Sequence, residues 1–178
     1  MRYYKITSLE DYEVMAFKNG DTYFKVNGLP EGKKIKIHDT VCFSPSDGHH
    51  KGLRADFPFY GSSDFLALRS KAYEVFKEHL RPYGVFCPVA ADDGDTVYLF
   101  NCNRIDALNE KETEFLCYIP EKKIGYLKKI VLHKDKMDGR IIFRVKMKTS
   151  PVIVSEDFIR IYKDNKLNSL GFEEIDVM

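Results

Sequence analysis

Twice along this chain an apolar run leads into a serine, an amphipathic stretch, a glycine and a second apolar run. The first copy reads FLALRSKAYEVFKEHLRPYGVF from Phe65, and the second reads PVIVSEDFIRIYKDNKLNSLGF from Pro151. A strand presents its apolar face with period two and a helix with period 3.6, so each copy must pack a helix against a sheet. Two such units exclude all-helical and all-strand architectures. In the first unit Phe65–Leu68 suits a buried strand, and Ser70 is read as the N-cap of a helix over Lys71–Leu80. Ala72, Val75, Phe76, His79 and Leu80 share one face of that helix, and Pro82 and Gly84 stop it. In the second unit Pro151–Val154 is a strand and Ser155 the N-cap, with Glu156 and Asp157 favoured in the first turn by the helix dipole. That helix is expected to run to about Lys166, ahead of a last strand over Phe172–Val177. Placing Ser70 on Ser155 aligns Tyr73 with Phe158 and Phe76 with Ile161. Internal duplication and convergence on a common strand–cap–helix unit both account for this match.

Between the units, Val85–Val89 and Thr96–Phe100 flank the turn Asp92–Asp95 and form a hairpin. Gly125–His133 and Arg140–Lys146 alternate as strands do, joined by the charged loop Lys134–Gly139. The first 60 residues carry four short β-like runs: Tyr3–Thr7, Glu13–Phe17, Thr22–Val26 and Lys34–Ile37. Asn19-Gly20 between two of them reads as a hairpin turn. Ser44–Phe59 (SPSDGHHKGLRADFPF) is polar, aperiodic and rich in Gly and Pro, the composition of a long loop. The expected fold is α+β: a mainly antiparallel sheet with two principal helices and an N-terminal β-rich subdomain. Residues 1–60 would form that subdomain, with its long loop at 44–60, and residues 61–178 the α+β domain. A chain of 178 residues can bury such a core without a metal or disulfide.

Charge narrows the function. Lys and Arg number 28 against 27 Asp and Glu, a formal net of +1. Nucleic-acid binding draws its affinity from neutralised phosphates, so this balance disfavours it. Lys122, Lys123, Lys128 and Lys129 interleave with Tyr126, a pattern that can bind single strands. On a strand, however, Lys128 and Lys129 point to opposite sides. No run approaches the length of a membrane span or a secretory signal, so a cytoplasmic location is expected and membrane binding is not.

The search for chemistry returns little. The four cysteines, Cys42, Cys87, Cys102 and Cys117, contain no C-x-x-C pair and read as reduced thiols. His49 and His50 are adjacent, but the spacing of a zinc site is missing. Asp92, Asp93 and Asp95 lack the spacing of a calcium loop and read as an acidic hairpin tip. There is no nucleophile elbow and no phosphate-binding glycine loop. No cofactor and no metal are expected, and no residue is assigned a catalytic role.

Residues from about Phe65 to Phe172 resemble the bacterial polymorphic-toxin immunity protein family eleven, formerly a domain of unknown function. The resemblance is carried by FLALRSKAYEVFKEHL, VFCPV, VYLFNCNRIDALN, IIFRV, PVIVSEDFIRIY and LGFEE, with YLFN–x₄–DAL and IFR…P–x–IVS the most specific. Asn101, Asp106, Phe143, Arg144 and Ser155 fall on its pattern, and each also has a structural reading. The N-terminal part matches only in its opening RYYKI. The resemblance implies a cytoplasmic protein encoded beside a toxin, which binds that toxin and neutralises it without catalysis. An enzyme that reverses a toxin's modification and a nucleic-acid-binding regulator remain as alternatives. For the partner-binding surface, the loop Gly48–Phe59 offers Arg54, Phe57, Phe59 and the neighbouring Tyr60. The hairpin tip offers Asp92, Asp93 and Asp95. Oligomeric state is left open by the sequence.

Overall fold

A computed structural model describes residues 1–27, 30, 32–45, 52–58, 65–122, 124–147 and 149–178. The strands in chain order are β1 (Tyr3–Ser8), β2 (Glu13–Phe17), β3 (Thr40–Pro45), β4 (Leu66–Arg69), β5 (Gly84–Ala91), β6 (Thr96–Cys102) and β7 (Arg104–Ile105). They continue with β8 (Glu114–Ile119), β9 (Ile124–Lys129), β10 (Val131–Leu132), β11 (Ile142–Val145), β12 (Ile153–Ser155) and β13 (Leu170–Val177). The helices are α1 (Gly20–Asn27), α2 (Ser70–Leu80) and α3 (Glu156–Asp164). In place of one sheet the described residues form two and a ribbon: a six-stranded sheet in the order β10-β13-β1-β12-β11-β7, a five-stranded sheet β2-β3-β5-β6-β4, and the pair β8-β9.

The repeated sequence unit is repeated in the topology. β4 and β5 lie on either side of β6, both antiparallel to it, and α2 connects them. β12 and β13 lie in the same way on either side of β1, connected by α3. The two helices meet where Phe76 stacks on Phe158, with ring centroids 4.3 Å apart. Neither serine caps a helix through its side chain. The backbone N-caps are Arg69 and Ser155, which shifts the correspondence by one residue: Ala72 matches Phe158 and Phe76 matches Tyr162, all four buried. The Ser155 hydroxyl is buried without a hydrogen-bond partner among the described residues.

β1 sits in the middle of the six-stranded sheet, while β2 and β3 join the five-stranded one. The strands of residues 1–60 are thus shared between both sheets, and neither sheet ends at residue 60. Thr22–Val26, expected as a strand, lies in helix α1. Packing decides it: Val26 carries the helix into the larger core, and the Asn19 side-chain oxygen caps its start by accepting the Asp21 N–H at 3.0 Å. Lys34–Ile37 forms no strand. Ile35 and Ile37 rest on the core, and the Asn101 side-chain amide holds this coil through the carbonyls of Pro30 (2.9 Å) and Lys33 (3.3 Å). His79, expected on the apolar face of α2, is exposed.

Within the six-stranded sheet every residue of β11 and β12 is buried, so these strands are buried on both faces without alternation, whereas β13 exposes Glu173, Glu174 and Asp176. Tyr4, Ile142 and Val154 face the larger core, shared with the five-stranded sheet, α2 and α3. Their chain neighbours Tyr3, Phe143 and Ile153 face a second core, against which the inner face of the β8–β9 ribbon packs. Phe57 occupies the centre of the larger core at 1% exposure, touching Phe76, Phe158 and Tyr162. Phe57→Ala is expected to destabilise the fold by about 3–5 kcal/mol, read as a lower midpoint in urea with an unchanged slope.

Candidate protein-interaction surface

The outer strands of the five-stranded sheet are β2 and β4, and the segment 52–58 bonds to both. The Glu13 N–H donates to the Leu53 carbonyl (2.9 Å) and the Met15 N–H to the Pro58 carbonyl (3.0 Å). From the other edge, the Arg69 N–H donates to the Asp56 carbonyl (3.0 Å). The sheet is therefore curled until a single strap of chain spans the gap between its edges. Gly52 opens the strap with φ +61°, and a Cβ there would lie 3.1 Å from the Pro45 ring. Asn168 and Ser169 anchor the strap from below, receiving the N–H groups of Asp56 (2.8 Å) and Phe57 (3.1 Å).

Arg69, the last residue of β4, ties the same two edges through its side chain. It is 2% exposed. Its guanidinium donates to Glu13 on β2 at 2.6 Å, to Asp93 at 2.8 Å and to Asp95 at 3.3 Å, and it lies 3.6 Å from the centroid of the Phe43 ring. Arg54, on the strap, reaches the same two aspartates at 3.2 and 3.0 Å. Asp95 also accepts the Ser70 hydroxyl (2.6 Å) and the Thr96 N–H (2.8 Å). A buried charge is tolerated only when paired and hydrogen-bonded, and here every member of the cluster is. Burial pushes the Asp93 carboxyl up, but the Asp95 N–H and the Arg69 guanidinium outweigh it and hold the group below the usual carboxylate range. For Asp95, burial is likewise outweighed, by the Ser70 hydroxyl, the Thr96 N–H and Arg69. Burial acts to lower the Arg69 pKa, and the bonds to Glu13 and Asp93 raise it instead.

The structure brings Arg54, Asp93 and Asp95 together at one corner of the molecule. Asp92 is beside them, 3.8 Å from the Lys18 ammonium. Phe57 is elsewhere: its ring is a core side chain, so the surface includes the strap's outer edge without it. Phe59 and Tyr60 lie outside the described residues. Sequence reading missed Glu13, Phe43 and Arg69, although one signal was available. An arginine closing the apolar run LALR must find carboxylates if that run is buried. It also missed Leu53, 51% exposed next to Arg54 on the strap, and Leu9, 42% exposed in the β1–β2 turn. Their backbones are linked through this turn, with the Leu53 N–H donating to Asp11 (2.9 Å) and the Tyr12 N–H to Leu9 (3.3 Å). Arg54 and the Asp92–Asp95 turn thus make a charged corner, with the exposed Leu53 next to Arg54 in the chain.

The corner holds one exposed arginine in place with carboxylates on a mixed-charge surface. Among the described residues no group of three or more His, Cys, Asp or Glu side chains is placed to hold a metal. A cleft of about 440 Å³ lies between α2 and β5, lined by Lys34, Tyr73, Lys77, Arg81 and Phe86; it contains neither Cys102 nor His133. Lys128 and Lys129 turn to different carboxylates, Glu114 (2.9 Å) and Asp176 (2.8 Å), so they do not line up as a track for phosphate. No described helix is long and apolar enough to cross a membrane.

Residues 89–177 match the Immunity protein family (Imm11), and the chain belongs to that family. The match starts within β5, so it leaves out β4 and α2, which the sequence resemblance had included. It contains the acidic turn Asp92–Asp95 and the whole of β12–α3–β13, but not the strap. No curated protein matches the chain. Family membership gives the chain an immunity role in the general sense of toxin neutralisation.

Removing one partner of a buried charge cluster leaves the others desolvated and unpaired. Arg69→Ala is therefore expected to cost about 3–5 kcal/mol in urea unfolding, and Arg69→Met clearly less if Glu13 and Asp93 are neutralised with it. Because Asp93 and Asp95 titrate below their unfolded value of about 3.9, their stabilisation is complete above that pH and is lost as pH falls through the folded values. Asp95→Asn should accordingly lower stability at neutral pH and flatten its acid dependence below about pH 4. An acid limb as steep as that of the unaltered protein would contradict this.

Proposed function

We propose that this chain is a cytoplasmic immunity protein that binds one cognate toxin and neutralises it by direct contact, performing no reaction of its own. The observation that carries this reading is membership of the immunity family over residues 89–177. The corner built from Leu53, Arg54 and the Asp92–Asp95 turn supports it as a contact surface. Binding hot spots favour arginine and large apolar groups ringed by polar ones. Arg54 is 65% exposed yet already held by two carboxylates, so docking it against a partner costs little further side-chain entropy. Asp92, with its side chain 36% exposed, adds an acidic rim that selects for a basic patch opposite.

Co-expression with the product of the adjacent gene tests the reading. The product should be lethal alone and tolerated beside this chain; a product harmless alone, or equally lethal in its company, would refute it. Arg54→Ala, which leaves Asp93 and Asp95 paired with Arg69, should weaken the purified complex by about tenfold or more in titration calorimetry while leaving the thermal midpoint within a few degrees.

A further inference from the structure

Among the described residues the other sheet edges are covered or short. The strap closes the five-stranded sheet, and the six-stranded sheet ends in β10 and β7, two residues each. Short or covered edges keep one chain from pairing with another. The β8–β9 ribbon breaks this pattern. Its strands have six residues each and, among the described residues, pair only with one another.

The two faces of the ribbon differ in kind. On the inner face Phe115 and Tyr118 stack at 4.1 Å over Gly125, where a Cβ would come within 2.9 Å of the tyrosine ring. The Thr149 hydroxyl fastens the Gly125 carbonyl at 2.5 Å, and Leu127 enters the second core. The ribbon is thus anchored without help from its other side. That outer side holds Cys117 opposite Tyr126 in register, then Ile119, with Leu116 displaced outward at a bulge. Leu116 is 72% exposed, Tyr126 65% and Ile119 42%. Three large apolar side chains clustered on an open-edged ribbon mark an interaction site.

We infer that the outer face of the β8–β9 ribbon is a second docking surface for the toxin, which adds an extended segment along β8 and covers Leu116, Cys117, Ile119 and Tyr126. This rests on the toxin-binding reading above and goes beyond it in site and in partner chemistry. An open strand edge presents alternating N–H and C=O groups, which another polypeptide backbone satisfies and a lipid or nucleic acid does not. Residues 114–129 carry Lys122, Lys123, Lys128 and Lys129 against Glu114 and Glu121, and with the Asp176 that pairs with Lys129 the balance is a surplus of one positive charge. The fitting occupant is an apolar strand with an acidic rim. The same surplus opposes a second copy of this ribbon as the occupant.

The test uses the full chain and the purified product of the adjacent toxin gene. In the triple variant Leu116→Ser, Ile119→Ser, Tyr126→Ser, affinity should fall about a hundredfold with circular dichroism and thermal midpoint retained. In the unaltered protein, alkylation of Cys117 should slow about tenfold on complex formation while that of half-buried Cys42 does not change. Should the triple variant fail to fold, this protection still decides the matter. Undiminished affinity in a folded triple variant, or an unprotected Cys117 in the complex, overturns the ribbon proposal and leaves toxin binding standing. So does a result in which the triple substitution abolishes only self-association, or only binding to phosphatidylglycerol vesicles, with toxin affinity intact. No binding by the unaltered protein overturns both.

Discussion

One guanidinium organises the site half of this molecule. Arg69 stands at the end of an outer strand, almost without solvent, and its bonds run to the opposite outer strand, to the β5–β6 turn and to an aromatic face. A charge in that position is costly unless every direction it points in holds a partner. The consequence is geometric. Glu13, Asp93 and Asp95 must converge on one point, which fixes how far the five-stranded sheet curls and where the strap 52–58 can cross. Once the strap is in place, Phe57 is delivered to the junction of α2 and α3, and Arg54 is left on the outside, held by the same aspartates. Closure of the sheet, the centre of the core and the exposed arginine thus share one cause.

The second organising element is β1. Because it separates β12 from β13 as β6 separates β4 from β5, the N-terminal strand completes a unit whose other parts lie more than 140 residues away. The six-stranded sheet then serves two cores at once. One face closes the helices and the curled sheet, and the other supports the ribbon. This layering separates two tasks. The strap corner is built from charges fixed by burial, whereas the ribbon is built from apolar groups that the fold anchors on one side and leaves open on the other.

Much of this was legible in the residues. The repeated strand–helix–strand pattern is present in both copies, the β5–β6 hairpin falls where Asp92–Asp95 places it, and the family resemblance agrees with the match over residues 89–177. What was hidden depends on distant partners. Asn19 suits a hairpin turn and a helix cap equally, and the choice is made by packing of α1, not by the dipeptide. Ser70 looked like a cap because serine caps are common, but the hydroxyl turns to Asp95, 25 residues on. Phe57 was read as a loop aromatic because its flanks are polar, and only the bonds of the strap to Asn168 and Ser169 explain why it is carried inward. The exposed face of the ribbon was missed for a different reason: FLCYI shows no clear period, because the bulge after Phe115 interrupts the alternation and turns Leu116 outward.

The central claim is that this chain neutralises by occupying a surface. Titration of the toxin's activity in vitro with the purified, metal-free protein separates that from any catalytic means of rescue. Toxin activity should fall in proportion to added protein, reach its floor at equimolar amounts, and return when the complex is dissociated. Inactivation by far less than an equimolar amount, increasing with time and persisting after this protein is removed, would contradict the account.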